Sequence, residues 1–111
     1  QLSAIEDIYL QNAEINLPAT PASINSAGLF NFILAKFNRL TRSFCQLESI
    51  AVEGNQAALK WYLDGDEKGK KVRAPFVTIL TIENGKINKE ITTTDILAYI
   101  NRFPESELFN G

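Results

Sequence analysis

The sequence predicts an α+β domain organised around a long antiparallel meander, and three observations carry that expectation. Phe44 to Asp95 reads as four consecutive strands, at Phe44–Val52, Ala57–Leu63, Lys71–Ile82 and Ile87–Thr93. Glu53-Gly54-Asn55-Gln56 and Glu83-Asn84-Gly85-Lys86 separate the outer pairs, and Asn and Gly accept the positive φ that tight hairpins require. Stretches with apolar residues at helical spacing flank the meander on both sides, as cover for one face of the sheet.

The composition fits one domain spanning residues 1–111, long enough to bury a core, with 45% hydrophobic and 22% charged residues excluding a disordered chain. A net charge of −2 gives no electrostatic reason for nucleic acid or a membrane as partner. The one basic cluster, Lys68, Lys70 and Lys71, reads as a solvated loop, with a polyanion contact as the functional alternative. Cys45 stands alone and no Asn-x-Ser/Thr acceptor occurs, which points to a reducing, cytoplasmic setting. No apolar run is long enough to span a bilayer and no signal-peptide pattern is present. The sequence starts at Gln1 and lacks Met, so residues before Gln1 are expected.

In chain order, Leu2–Leu10 predicts a short amphipathic helix with Leu2, Ile5, Ile8 and Tyr9 on one side, and Ala13–Leu17 a brief strand. Pro18 to Ser23 is a loop, because Pro18 and Pro21 remove donors and fix φ. Asn25 or Ser26 caps a helix from Ala27 to about Arg39, whose stripe is Leu29, Phe30, Ile33, Leu34, Phe37 and Leu40. In the second strand Ala57, Leu59, Trp61 and Leu63 share a face. In the third, Ala74, Phe76, Thr78 and Leu80 oppose Pro75, Val77, Ile79 and Thr81. Apolar residues on both faces predict a central strand covered on both sides, by a helix on one and a loop or second subunit on the other. Pro75 predicts a bulge or bend, and Asp64–Lys70 a hairpin loop. Ile96–Phe103 resumes helical spacing, started by Thr94 or Asp95 and stopped by Pro104, and Leu108 and Phe109 can dock on the body.

This order carries Val52-Glu53-Gly54-Asn55, Leu59-Lys60-Trp61, Gly69-Lys70, Gly85-Lys86-Ile87 and Asp95. It resembles the SnoaL-like polyketide cyclase group of the nuclear-transport-factor-2-like superfamily, which includes the ketosteroid isomerases, over Leu2 to Phe103. The resemblance implies a cystatin-like α+β cone: a strongly bent antiparallel sheet wrapped around helices, with an apolar cavity open at one end. It implies a small hydrophobic molecule as ligand, a homodimer through the outer sheet face and a further N-terminal helix that this sequence lacks; no cofactor is expected.

The isomerase carboxyl groups align with Leu17, before Pro18, and with Val77, in Ala74-Pro75-Phe76-Val77. Enolate chemistry needs a base and a hydrogen-bond donor, and neither Leu nor Val is one. The cyclase acid/base aligns with Asp95, which leaves it as the catalytic candidate; its alternative is a helix cap favoured by the helix dipole. Without His, any proton carrier is a carboxylate, Lys or Tyr, and the usual zinc and triad designs are absent. Glu14, Asn16, Glu48 and Glu90 are strand polars whose spacing shows no convergence. Asp64 and Asp66 begin a calcium-like series that stops there, so no metal is expected. The candidate ligand-binding residues are Leu17, Leu34, Phe37, Trp61, Val77, Ile79 and Thr93. Trp61 either walls a cavity or fills the core between sheet and helix. Two functions follow: an isomerase- or cyclase-type enzyme using one carboxylate, or a non-catalytic binding or dimeric assembly module.

Overall fold

The computed structural model describes residues 8–18, 24, 25, 29 and 39–109. Five strands form one sheet: β1 (Tyr9–Asn16), β2 (Thr41–Glu53), β3 (Gln56–Glu67), β4 (Lys70–Glu83) and β5 (Lys86–Thr93). Helix α1 (Ile96–Arg102) follows, and the strand order is β1-β5-β4-β3-β2. The meander β2 to β5 is antiparallel as its hairpin turns dictate, but β1 joins the edge parallel to β5. The sheet is therefore mixed, and it is strongly curved.

The four meander strands extend past their expected bounds, while β1 starts earlier, at Tyr9, and ends one residue sooner, at Asn16; the largest difference lies at the β3–β4 hairpin. The expected loop Asp64–Lys70 shrinks to Lys68-Gly69, whose φ values of 52° and 85° fit a two-residue hairpin turn. The polar residues that suggest a loop have partners across the ladder. Asp64 pairs with Arg73, its register partner, at 3.2 Å. Gly65 is buried because Leu40 lies over it: an added Cβ would stand 3.1 Å from Leu40 Cδ1. Pro75 causes no bulge, since β3 and β4 stay in continuous register through Tyr62↔Pro75. The N–H and C=O of one residue point to the same side of an antiparallel strand. Pro75 O accepts from Thr94 Oγ1, beyond the last β4–β5 pair at Val77↔Thr93. The missing N–H thus points where there is no ladder to interrupt.

At the N-terminal side, Tyr9 and Leu10 belong to β1 and not to a helix, although Ile8 is helical. The rest of the expected Leu2–Leu10 helix, and of the Pro18–Ser23 loop beyond Pro18, lies outside the described residues. So does the Ala27–Arg39 helix, except that Leu29 is helical and buried and donates its N–H to Asn25 O at 2.9 Å.

The concave face carries two apolar clusters. One joins Leu40, Leu63, Val72, Ala74, Phe76, Tyr99 and Leu108, with Trp61 stacked on Phe76 at 4.5 Å between ring centroids. The other joins Ala13, Ile15 and Leu29, with Tyr9 and Leu17 against them. On the convex face β4 is not covered by any described residue: Val77 and Ile79 are each 44% exposed. Among the described residues of the chain this strand is thus covered on one face.

The segment after α1 is built into the first cluster. Leu108 is 1% exposed, and the buried Glu67 carboxylate accepts from Ser106 Oγ at 2.5 Å and from Glu107 N at 2.8 Å. Arg39 Nη1 donates to Glu107 O at 2.6 Å. Replacing Leu108 with Ala should cost about 2–5 kcal/mol of unfolding free energy, the range for a buried Leu. Urea denaturation checks this, and a loss under about 1 kcal/mol would show that the segment is not part of the core.

Candidate functional site

A line of hydrogen bonds crosses the concave face from β3 to β1. Trp61 Nε1 donates to Thr78 Oγ1 at 2.9 Å, and Thr78 and Thr92 share a hydrogen bond of 2.8 Å between hydroxyls. Thr92 Oγ1 donates to Glu90 Oε2 at 3.1 Å, and Tyr9 O–H donates to Glu90 Oε1. The chemistry of the groups sets the direction. An indole N–H can only donate, so Thr78 accepts from it and gives its own proton to Thr92; Thr92 then gives its proton to the carboxylate. Donors therefore converge on Glu90 from both ends.

Local structure places these groups. Thr78 and Thr92 are direct cross-strand partners, and Trp61 lies two residues beyond Leu59, the β3 partner of Thr78. Glu90 pairs with Leu80 on one side and Ile15 on the other. A register shift between Thr81↔Lys89 and Ile82↔Ile87 makes Asn88 an extra residue in β5. That bulge turns Glu90 and Thr92 to the concave side and Ile91 and Thr93 to the convex side. Glu90 is only 7% exposed, between a cluster that includes Trp61 and one that includes Tyr9.

Burial, then the charge and hydrogen bond of Glu90, push the Tyr9 phenol well above its ordinary range. Tyr9 is thus held as a protonated donor beside a carboxylate. Among the described residues no group of three or more His, Cys, Asp or Glu side chains is placed to hold a metal.

The residues singled out from sequence are dispersed. Asp95 is exposed and is the N-cap of α1, its Oδ1 accepting from Ala98 N at 2.9 Å. Val77, Ile79 and Thr93 are exposed on the convex face, opposite the hydrogen-bond line. Leu17 is half-buried against the second cluster, just past the end of β1. Leu34 and Phe37 lie outside the described residues. Of the described members of the set only Trp61 reaches the line, where it both packs in the core and donates. Glu90, Tyr9, Thr78 and Thr92 were the missed residues. The parity of β5 counted from Ile87 puts Glu90 on the wrong face, because the Asn88 bulge is invisible in the pattern.

The SnoaL-like domain profile matches residues 1–90. The chain belongs to the SnoaL-like domain family. Solved structures agree on the SnoaL-like architecture. Wild-type IdmH from Streptomyces antibioticus superposes with a TM-score of 0.82 at 14% identity, over 94% of this chain and 87% of its own. A SnoaL-like polyketide cyclase from Agrobacterium tumefaciens C58 gives 0.77 at 15% identity, over 93% and 84%. A protein with the ketosteroid isomerase-like fold from Catenulispora acidiphila, in complex with trimethylamine, gives 0.76 at 11%, over 90% and 79%. At such identities the likeness is one of fold. A search of curated proteins finds no significant match.

The raised Tyr9 pKa has a consequence for stability. The folded chain holds the phenol proton more tightly than the unfolded chain, whose phenol titrates near about 10. The stabilisation is complete below that pH and is lost as pH rises above it. Unfolding free energy should therefore fall with pH above about 10 in the wild type, and less steeply in Tyr9→Phe. Denaturant titrations across this window check it; identical slopes would mean that Tyr9 is not held protonated.

Proposed function

We propose that this SnoaL-like domain binds a small hydrophobic carbonyl compound on its concave face and moves a proton on it with Glu90 and Tyr9. The observation that carries the reading is a carboxylate 7% exposed between two apolar clusters and bonded to the Tyr9 phenol. Glu90 supplies a base for a C–H next to a carbonyl: the proton goes to a carboxylate oxygen, and the C–H electron pair forms the enolate. The protonated Tyr9 phenol, released from Glu90 as that carboxylate loses its charge, is a donor for the developing oxygen charge. Trp61 offers a flat apolar wall beside the line. A fold neighbour named as a SnoaL-like polyketide cyclase supports a cyclase-like, ligand-binding reading.

The test is deuterium uptake from D2O at the α-carbon of an aromatic ketone, followed by proton NMR. Glu90→Gln should lower the rate about 100-fold or more, in the range of general-base catalysis. Asp95→Asn should leave the rate unchanged while costing, at most, about 1 kcal/mol as a weakened cap. Loss of exchange in Asp95→Asn with retention in Glu90→Gln would reverse the assignment.

A second reading, an assembly module, has its own observation. Ala51, Ala58, Ile79 and Ile91 lie in one row across the convex face by register, and all are exposed. We infer a homodimer that covers this row, since exposed apolar rows of this kind mark contact surfaces. Ile79→Glu should shift sedimentation from dimer to monomer at equal helix and strand content. A wild type that sediments as a monomer at every accessible concentration would remove the proposal.

A further inference from the structure

Far from the Glu90 line, a hollow of about 420 Å3 opens between the tip of the β3–β4 hairpin and the segment after α1. Lys71 lies seven residues along β4 from Thr78, roughly 23 Å of strand away. The wall on the hairpin side carries Glu67, Lys68, Lys70, Lys71 and Val72, and the opposite wall Arg102, Phe103, Pro104, Glu105 and Ser106. The basic cluster that reads from sequence as a solvated loop is thus one side of a concavity, and Arg102 adds a cation from the other.

The charges do not cancel. Glu67 is buried and its oxygens are occupied by Ser106 Oγ and Glu107 N. Glu105 is paired with Lys70 at 2.5 Å, and Lys68 with Glu107 at 3.3 Å. Among the described residues Lys71 and Arg102 have no carboxylate within ion-pair distance, yet both line the hollow. Beside them Val72 is buried, and Phe103 is half-buried with its ring 5.6 Å from the Arg102 guanidinium carbon. The Glu67–Ser106 clasp, extended by a 2.7 Å bond from Ser106 to Tyr99, fixes the two walls relative to each other. The hollow has the volume of a small-molecule site, four cations (Lys68, Lys70, Lys71 and Arg102) against the three carboxylates of Glu67, Glu105 and Glu107, and an apolar wall.

We propose that this hollow binds a small organic anion, with its carboxylate or phosphate on Lys71 and Arg102 and its apolar body against Val72, Phe103 and Pro104. Guanidinium and ammonium groups are the natural partners of such anions, and the apolar wall selects those with a hydrocarbon portion. The site is independent of the proposed proton chemistry on the concave face.

The experiment is an amide-resolved NMR titration at fixed ionic strength with benzoate, and with benzyl alcohol as its uncharged counterpart. Benzoate should give saturable shifts at the amides of Lys71, Val72, Arg102 and Phe103 in the millimolar range, and benzyl alcohol should not. Lys71→Ala and Arg102→Ala, both at exposed positions, should each weaken benzoate about fivefold with an unchanged spectrum elsewhere. Absence of saturable shifts with benzoate, equal shifts with benzyl alcohol, or undiminished binding in both variants would each overturn the proposal.

Discussion

The constraint on which the concave face depends is the buried carboxylate of Glu90. An ionised carboxylate is an acceptor only, and inside a protein it must be given donors. Here the donors come from β1 and from Thr92 on its own strand, and Thr92 is held in turn by Thr78 of β4 and, through it, Trp61 of β3. Among the described residues no buried side-chain nitrogen or oxygen lacks a hydrogen-bond partner. A one-residue slip of β5 against β4 would turn Glu90 and Thr92 to the convex side and strand the Trp61–Thr78 pair. The polar line thus specifies register in a sheet whose apolar residues, present on both faces of β4, specify it weakly.

The same line joins two parts of the molecule. Trp61 packs against the cluster beneath α1 and the C-terminal segment, and Tyr9 against the cluster around Ile15 and Leu29. Among the described residues, the two clusters are otherwise linked across the sheet by its backbone ladder. Glu67 plays a comparable part at the far end of β3, where a second buried carboxylate ties the chain terminus to the hairpin. In both places, among the described residues, an acid taken out of water is compensated by hydroxyl or backbone donors and not by a cation.

The fold was largely legible in the sequence because its signals are local. Hairpin turns at Gly54-Asn55 and Asn84-Gly85 fix antiparallel neighbours, and the alternation in β3 and β4 assigns Trp61, Phe76 and Thr78 to one face correctly. The resemblance carried by the turn and strand motifs pointed to the SnoaL-like family that the profile match shows. What was not legible depends on irregularities and on distance. The bulges at Glu48 and Asn88 each reverse the parity of half a strand, so Leu47 and Ile50 share a side and Glu90 joins Ile87. The Asp64–Lys70 stretch looks like a loop until Arg73 and the C-terminal segment supply its partners. The bond between Tyr9 and Glu90 spans most of the chain and a parallel pairing that no hairpin announces. Asp95, by contrast, carries a local signal with two meanings, and its hydrogen bond to Ala98 N is the cap.

On the proposed function, the concave face, with Glu90 at the end of the donor line, receives a small hydrophobic carbonyl compound. Trp61 is the one tryptophan in the chain and sits on that line, so its fluorescence reports the face directly. Titration of the wild type with an aromatic ketone should change Trp61 emission saturably. A response that stays linear in ketone would exclude binding at this face.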